Sequence, residues 1–162
     1  MKVDRGVLDT SVLVEYLGEE PTRGIDELFR RIGRGEFKAY LTHVTIAEVV
    51  YVAYRIYREA GASNPNEKAL KYVDWLINLP GTEIIRLDAG IAKVAGELKK
   101  SFRLALSDVF VIASAVTLGY PAIFLKLESE MEPYREKLED LGVIFWEEVH
   151  SQHESGNGHS TS

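Results

Sequence analysis

Apolar residues along this chain fall into two patterns: short continuous runs, and longer stretches with an apolar residue at every third or fourth position. The short runs predict strands at residues 3–8, 38–41, 83–87, 122–125 and 143–146. The longer stretches predict helices at residues 22–34, 42–60, 65–78, 89–100, 108–118 and 132–141, with a short helix directly after Asp9. Strands that alternate with helices indicate βαβ units, and therefore an α/β fold with a mainly parallel sheet.

Two of the predicted helices start at polar residues that can cap them. Thr42 or Thr45 caps the long helix at 42–60, and Thr45 forms a capping-box pattern with Glu48, three residues on. Ser107 fills the cap position of the helix at 108–118. That helix is apolar on nearly every side, so we expect it to be central and buried.

The chain length of 162 residues suits one domain with a substantial core, and the sequence contains no internal repeat. We place this domain at residues 1–149. Residues 150–162 are polar and rich in Ser and Gly, which is typical of a disordered tail. No apolar run approaches the ~20 residues that a membrane-spanning helix needs, and the N-terminus has no signal-peptide pattern. A cytoplasmic protein with no membrane association is therefore expected.

The amino-acid composition excludes several kinds of site and function. The chain has no cysteine, which excludes disulfides, thiol catalysis and zinc sites built on thiolates. Its formal net charge is −6, from 25 acidic and 19 basic residues. This balance argues against a passive nucleic-acid coat, because such proteins neutralise phosphates with surplus Lys and Arg. It does not exclude an enzyme that acts on nucleic acid.

Four carboxylates stand where predicted elements begin or end. Asp9 follows the first strand, and Glu48 lies near the start of the helix at 42–60. Asp108 lies in the first turn of the apolar helix, and Glu128 lies three residues beyond the fourth strand. Taken singly, they have simpler explanations: a helix cap, a capping-box partner, a first-turn acid and a solvated loop, respectively.

Taken together, the four acids predict a metal site. In a parallel βαβ sheet, strand ends and helix starts converge on one edge, where such folds bind ligands. Like charges crowded there raise one another's pKa unless a cation compensates. Oxygen ligands in this number suit Mg²⁺ or Mn²⁺, and these ions support phosphoryl chemistry on a phosphodiester. The residues alone do not select the substrate.

Four segments then resemble a known family in their order and spacing. They are LDTSVL at 8–13, TIAEVV at 45–50, LSDVFVIASA at 106–115 and IFLKLE at 123–128. Through these segments, residues 2–146 resemble a PIN domain, the nuclease fold of the VapC-type toxins found in bacterial and archaeal toxin–antitoxin pairs.

This resemblance implies a three-layer α/β/α fold with a five-stranded, mainly parallel sheet, and Mg²⁺- or Mn²⁺-dependent cleavage of RNA. By position, Asp9, Glu48 and Asp108 match the family's principal metal-binding acids. Ser11 matches the small polar residue that supports the first Asp. The resemblance also implies a homodimer, and a small antitoxin whose C-terminal segment blocks the acidic site.

The chain departs from the family pattern after the fourth strand. The family usually carries a Thr or Ser there and an Asp two residues on, where this chain has Lys126 and Glu128. A glutamate still reaches a metal, often through water, so Glu128 stays in the predicted catalytic and metal-binding set. Lys126 either pairs with one of the acids or contacts a scissile phosphate.

Two other functions stay open from the sequence. A PIN-like module that binds RNA or protein with little or no cleavage is consistent with Lys126. An aspartyl-phosphate phosphatase also carries an Asp after its first strand, but it needs a second Asp where this chain has Ser11, which disfavours it.

Residues outside the acids suggest surfaces rather than chemistry. Tyr51, Tyr54 and Tyr57 recur on one predicted helix, which favours core or dimer packing, or a groove for an antitoxin helix. Several basic residues belong to solvated faces or to an RNA path: Arg55, Arg58, Lys99, Lys100 and Arg103. His43 is interpreted as structural, and no metal role is assigned to the histidines near the C-terminus.

Overall fold

A computed structural model describes residues 3–151, in which five strands form one parallel sheet. The strands are β1 (Arg5–Leu8), β2 (Lys38–Leu41), β3 (Thr82–Ile84), β4 (Ala122–Phe124) and β5 (Val143–Phe145), and their order across the sheet is β3-β2-β1-β4-β5. In the centre, Val7 of β1 is paired with Tyr40 of β2 on one side and with Ala122 of β4 on the other. The predicted five-stranded parallel sheet is confirmed, although β3 is shorter than the predicted segment.

The helices within these residues follow the predicted order. They are α1 (Thr10–Glu15), α2 (Ile25–Gly33), α3 (His43–Glu59), α4 (Pro65–Ile77), α5 (Ala89–Ser101), α6 (Leu106–Leu118), α7 (Arg135–Asp140) and α8 (Trp146–Ser151), with a 3₁₀ turn at Glu132–Tyr134 before α7. No helix of the described part of the chain is long and apolar enough to cross a membrane.

Helix α8 was not predicted. The last strand was expected to include Trp146, but β5 ends at Phe145 and Trp146 begins the helix. The indole Nε1 of Trp146 donates a hydrogen bond to the Arg23 carbonyl oxygen at 3.1 Å, so this side chain attaches α8 to the loop before α2. Most of the predicted tail, residues 152–162, lies outside the described residues.

Two hydrophobic cores, one on each face of the sheet, give the protein three layers. Because successive strand side chains point to opposite faces, Leu8 joins one core and its neighbour Val7 joins the other. The Leu8 core includes buried residues of α1 to α4, such as Leu28 and Val49. The Val7 core includes buried residues of α5 and α6, such as Ile112. The α/β/α prediction is therefore confirmed.

Helix α6 differs from its prediction in two respects. Its middle is buried, but Leu106, Val116 and Leu118 are 57%, 41% and 38% exposed, so the helix is not buried throughout. Its N-cap is Ala105, which makes no side-chain capping bond, whereas Ser107 lies inside the helix. The capping role predicted for Ser107 is therefore wrong, and Asp108 is the acidic residue of the first turn.

Candidate metal centre

Asp9 is the buried carboxylate between the central strand and α1. It is the N-cap of α1, and its Oδ2 accepts a hydrogen bond from the backbone N–H of Ser11 at 3.0 Å. It is only 6% exposed. Burial raises the pKa of Asp9, hydrogen bonds from Ser11 oppose this shift, and the charge of Glu48 raises the pKa further. Asp9 is therefore both the cap of α1 and a buried carboxylate, and the capping role alone does not explain why the carboxylate is buried.

Ser11 connects Asp9 to the end of β4. Its backbone N–H holds the Asp9 carboxylate, and its Oγ accepts a hydrogen bond from the Leu125 N–H at 3.1 Å. Leu125 directly follows β4 and precedes Lys126. The hydroxyl thus fixes the position of Asp9 relative to the loop in which Lys126 and Glu128 lie.

Glu48 is free of the capping role that the sequence suggested. The N-cap of α3 is Thr42, whose Oγ1 accepts from the backbone N–H of Thr45 at 2.9 Å and donates to the Thr45 hydroxyl at 3.0 Å. Thr45 is therefore inside the helix, and the capping-box interpretation of Thr45 and Glu48 is wrong. Glu48 lies further along α3, is half-buried, and its charge raises the pKa of both Asp9 and Asp108.

Asp108, in the first turn of α6, is a second carboxylate with a raised pKa. Burial raises its pKa to about 7, and the charges of Asp9, Glu48 and Glu130 add to this shift in that order. The mutual effects of Asp9, Glu48 and Asp108 require the three carboxylates to be near neighbours. Packing explains this proximity, because α3 contacts both α1 and α6, and α6 contacts β1.

The loop after β4 brings a different acid toward Asp108 from the one predicted. Glu130 is exposed, yet its charge raises the pKa of Asp108. Glu128 is half-buried, and its carbonyl oxygen accepts from the N–H groups of Met131 and Glu132 at 2.9 and 3.1 Å, which closes a turn. Glu130 was not predicted, and the only sequence signal for it is its place in the acidic run that begins at Glu128.

The fit of a divalent cation can be tested against these groups. The donors of Asp9, Glu48 and Asp108 are carboxylate oxygens, which suit Mg²⁺ or Mn²⁺. Burial raises the pKa of Asp9 and of Asp108, and the charges of neighbouring carboxylates raise both further, as expected where like charges are crowded. Among the described residues, however, no three His, Asp or Glu side chains lie close enough to form a complete ligand cluster. The residues therefore fit the ion in chemical type, and the carboxylates must move closer together to bind it.

A PIN domain family model matches residues 6–126, from β1 through the residue after Leu125. The match spans three quarters of the chain and includes Asp9, Glu48 and Asp108. The chain belongs to the PIN domain family. Glu128 and Glu130 lie beyond the matched residues of this PIN domain.

Solved structures with a similar fold include a toxin–antitoxin complex from Klebsiella pneumoniae, which aligns at a TM-score of 0.56 with 14% identity, covering 86% of this chain and 95% of that chain. VapBC2 from Rickettsia felis bound to promoter DNA aligns at a TM-score of 0.62 with 15% identity, covering 88% of this chain and 98% of that chain. DNA-bound VapBC from Salmonella typhimurium aligns at 0.60 with 17% identity, covering 90% and 99%. FitAcB from Neisseria gonorrhoeae aligns at 0.58 with 18% identity, covering 85% and 95%. No curated protein matches the sequence of this PIN domain.

Proposed function

We propose that this PIN domain is a Mg²⁺- or Mn²⁺-dependent endoribonuclease and the toxin of a toxin–antitoxin pair, acting in the cytoplasm. The observation that carries the proposal is the group of three neighbouring carboxylates, Asp9, Glu48 and Asp108, next to the end of the central strand, in a chain of the PIN family. Buried carboxylates with raised pKa values, as at Asp9 and Asp108, are typical of functional sites rather than of solvated surfaces.

Each residue of the candidate centre has a separate role in this proposal. Asp9, Glu48 and Asp108 hold the cation, with Glu128 or Glu130 as a further acid from the loop after β4. When bound, the ion supplies an acidified water and neutralises the leaving phosphate oxygen. Ser11 keeps Asp9 oriented through its N–H, while its hydroxyl holds the Leu125 amide. Burial of Asp9 limits its contact with bulk water, which strengthens its attraction for a cation.

Lys126 is the basic residue of the loop after β4. Its side chain is exposed, and no described carboxylate forms an ion pair with it, so the pairing that would weaken metal binding is not seen. We assign Lys126 to the RNA phosphate, because it follows the Leu125 amide that Ser11 fixes.

An antitoxin partner is part of the same proposal, supported by the similar folds of VapBC2 and of a toxin–antitoxin complex. A homodimer is proposed with it only from the resemblance to VapC-type toxins. Tyr54 and Tyr57 pack against the core, so the proposed groove does not lie at these two rings, while Tyr51 is 60% exposed. We place the antitoxin contact instead on the aromatic cluster of Tyr16, Phe29 and Trp75, in which the rings of Tyr16 and Trp75 are exposed.

The direct test is RNA cleavage by protein freed of any antitoxin. We expect cleavage with Mg²⁺ or Mn²⁺ that EDTA abolishes and that Asp9→Asn and Asp108→Asn each reduce by at least ~100-fold. Asp74→Asn, which changes an exposed acid on α4, is the matched control and keeps full activity. Wild-type protein that cuts no RNA, and whose expression arrests growth no more than Asp9→Asn, would refute the proposal.

One observation favours a second candidate, a PIN module that binds RNA or protein without cleaving. It is the lack of a complete three-residue ligand cluster within the described residues. Calorimetric titration with Mn²⁺ separates the two candidates. A nuclease binds Mn²⁺ in a manner that Asp108→Asn abolishes, whereas a non-cleaving module shows no such binding.

A further inference from the structure

A cavity lies between α2, α8 and the sheet, and none of the acids of the candidate metal centre is among its described lining residues. Its volume is about 410 Å³, which falls in the ~300–1,000 Å³ range of small-molecule sites. Most of its wall is apolar, formed by Val3, Leu28, Ile123, Ile144, Trp146 and Val149. The cavity exists because α8 turns back beside β5 and α2 instead of continuing the last strand.

The guanidinium of Arg31 is the charged group set into this apolar wall. Arg31 lines the cavity, is only 8% exposed, and donates from one NH₂ group to the Val3 carbonyl oxygen at 3.1 Å. A guanidinium has five N–H donors, and burying them without partners is costly. Among the described residues, the buried side-chain atoms left without a partner are the hydroxyls of Thr10 and Ser114. The N–H groups of Arg31 that do not bond Val3 are not among these atoms, so they are not fully buried, and the guanidinium Cζ lies 5.3 Å from the centroid of the Phe37 ring.

The other polar groups of the wall do not neutralise Arg31. The Glu27 carboxylate lies on the exposed rim, where it forms an ion pair with Arg30 at 3.0 Å. His150 lies over the Trp146 ring with centroids 4.2 Å apart, and its Nδ1 is 3.1 Å from the Trp146 carbonyl oxygen. Within residues 3–150, no carboxylate forms an ion pair with Arg31. The cavity therefore combines an apolar body with a cation that lacks an anion.

From this combination we infer that the cavity binds a small apolar carboxylate. The carboxylate accepts hydrogen bonds from the Arg31 guanidinium, whose fork geometry matches it. The apolar body of the ligand lies against Trp146 and the aliphatic wall. This site is independent of the proposed nuclease activity, since none of the acids of the candidate metal centre lines it.

Titration of the full chain with 3-phenylpropanoate tests the inference. The chain has two Trp residues, so a Trp75→Phe background leaves Trp146 as the sole indole reporter in the cavity wall. We expect saturable quenching or enhancement of its fluorescence. The neutral analogue 3-phenylpropanol should bind about tenfold more weakly, because it cannot form charge-assisted hydrogen bonds.

Matched variants locate the site. Arg31→Met should weaken binding of 3-phenylpropanoate about tenfold, whereas Arg30→Met, at the exposed neighbour on the same helix, should leave it unchanged. Val149→Phe, which narrows the cavity from a partly exposed position without adding an indole, should abolish binding and gives a second route if Arg31→Met does not fold. The inference is overturned by the absence of saturable binding, by equal affinity for the acid and the alcohol, or by equal effects of Arg30→Met and Arg31→Met.

Discussion

At the scale of single residues, the candidate centre is held by hydrogen bonds that each do more than one task. Ser11 uses its N–H for the Asp9 carboxylate and its hydroxyl for the Leu125 amide. Thr42 takes over the cap of α3 and so leaves Glu48 without a structural role at the helix start. These arrangements keep carboxylates close together and partly buried. Such crowding lowers the free energy of unfolding when the carboxylates are ionised, and this effect can be measured.

For Asp108 this effect appears in the pH dependence of stability. Its pKa is 3.8 in its ordinary state and about 7 in the folded protein, so the folded chain binds more protons than the unfolded chain between these values. Stability in EDTA should therefore fall as pH rises from 4 to 7. Asp108→Asn should melt higher than wild type above pH 7, on the order of 3 °C, with the difference vanishing near pH 4. Scanning calorimetry across this range checks it, and equal melting at pH 8 would contradict it.

Lys126 gives a prediction about RNA affinity. In an Asp108→Asn background that does not cleave, Lys126→Met should weaken RNA binding and reduce the dependence of log K on log salt by about one counterion. Fluorescence anisotropy at several salt concentrations measures both quantities. Lys137→Met on α7 is an exposed control of the same charge and should leave the slope unchanged.

At the scale of elements, the sequence predicts those helices, strands and caps that depend on residues close together in the chain. The alternation of strands and helices and the cap at Thr42 follow from neighbouring residues, and the prediction included them. Glu130 could not be predicted in this way, because the loop that carries it is positioned by contacts distant in sequence. Phe102 meets Tyr134 edge to face at 5.2 Å, and the Tyr134 hydroxyl lies 3.3 Å from the Arg103 N–H.

Contacts distant in sequence also explain why Trp146 was wrongly predicted to belong to the last strand. Val143 to Trp146 is a continuous apolar run, so period and composition favour a strand that includes Trp146. In the structure Trp146 instead begins α8, where it donates a hydrogen bond to the carbonyl oxygen of Arg23, more than 100 residues earlier. Asp9, Glu48 and Asp108 could be identified as a group because the parallel topology itself brings strand ends and helix starts together.

The cap of α3 makes the prediction at this scale. Thr42→Ala removes the acceptor for the Thr45 N–H in a fully buried position, and we expect it to destabilise the protein by ~1 kcal/mol or somewhat more. Thr42→Ser retains the hydroxyl and should lose much less. Urea unfolding of both variants makes the comparison, and similar midpoints for the two would argue against Thr42 as the cap.

At the scale of the whole molecule, metal binding and stability should be linked. A cation that binds the folded chain and not the unfolded chain raises the melting temperature in proportion to the logarithm of its concentration. Because protons compete for Asp9 and Asp108, the increase with Mn²⁺ should be larger at pH 8 than at pH 5.5. Thermal melts at several Mn²⁺ concentrations test this, with Asp108→Asn as the variant that should not respond.

The hydrogen bond between Ser11 and Leu125 also has a consequence for synthesis. Its two partners are 114 residues apart, and β4, which ends beside it, is the neighbour of the central strand. A ribosome that has made the first hundred residues has produced Asp9 and Glu48 but neither Asp108 nor the amide that Ser11 holds. The centre is therefore completed only after Leu125 has been synthesised, and chains released before that point lack it.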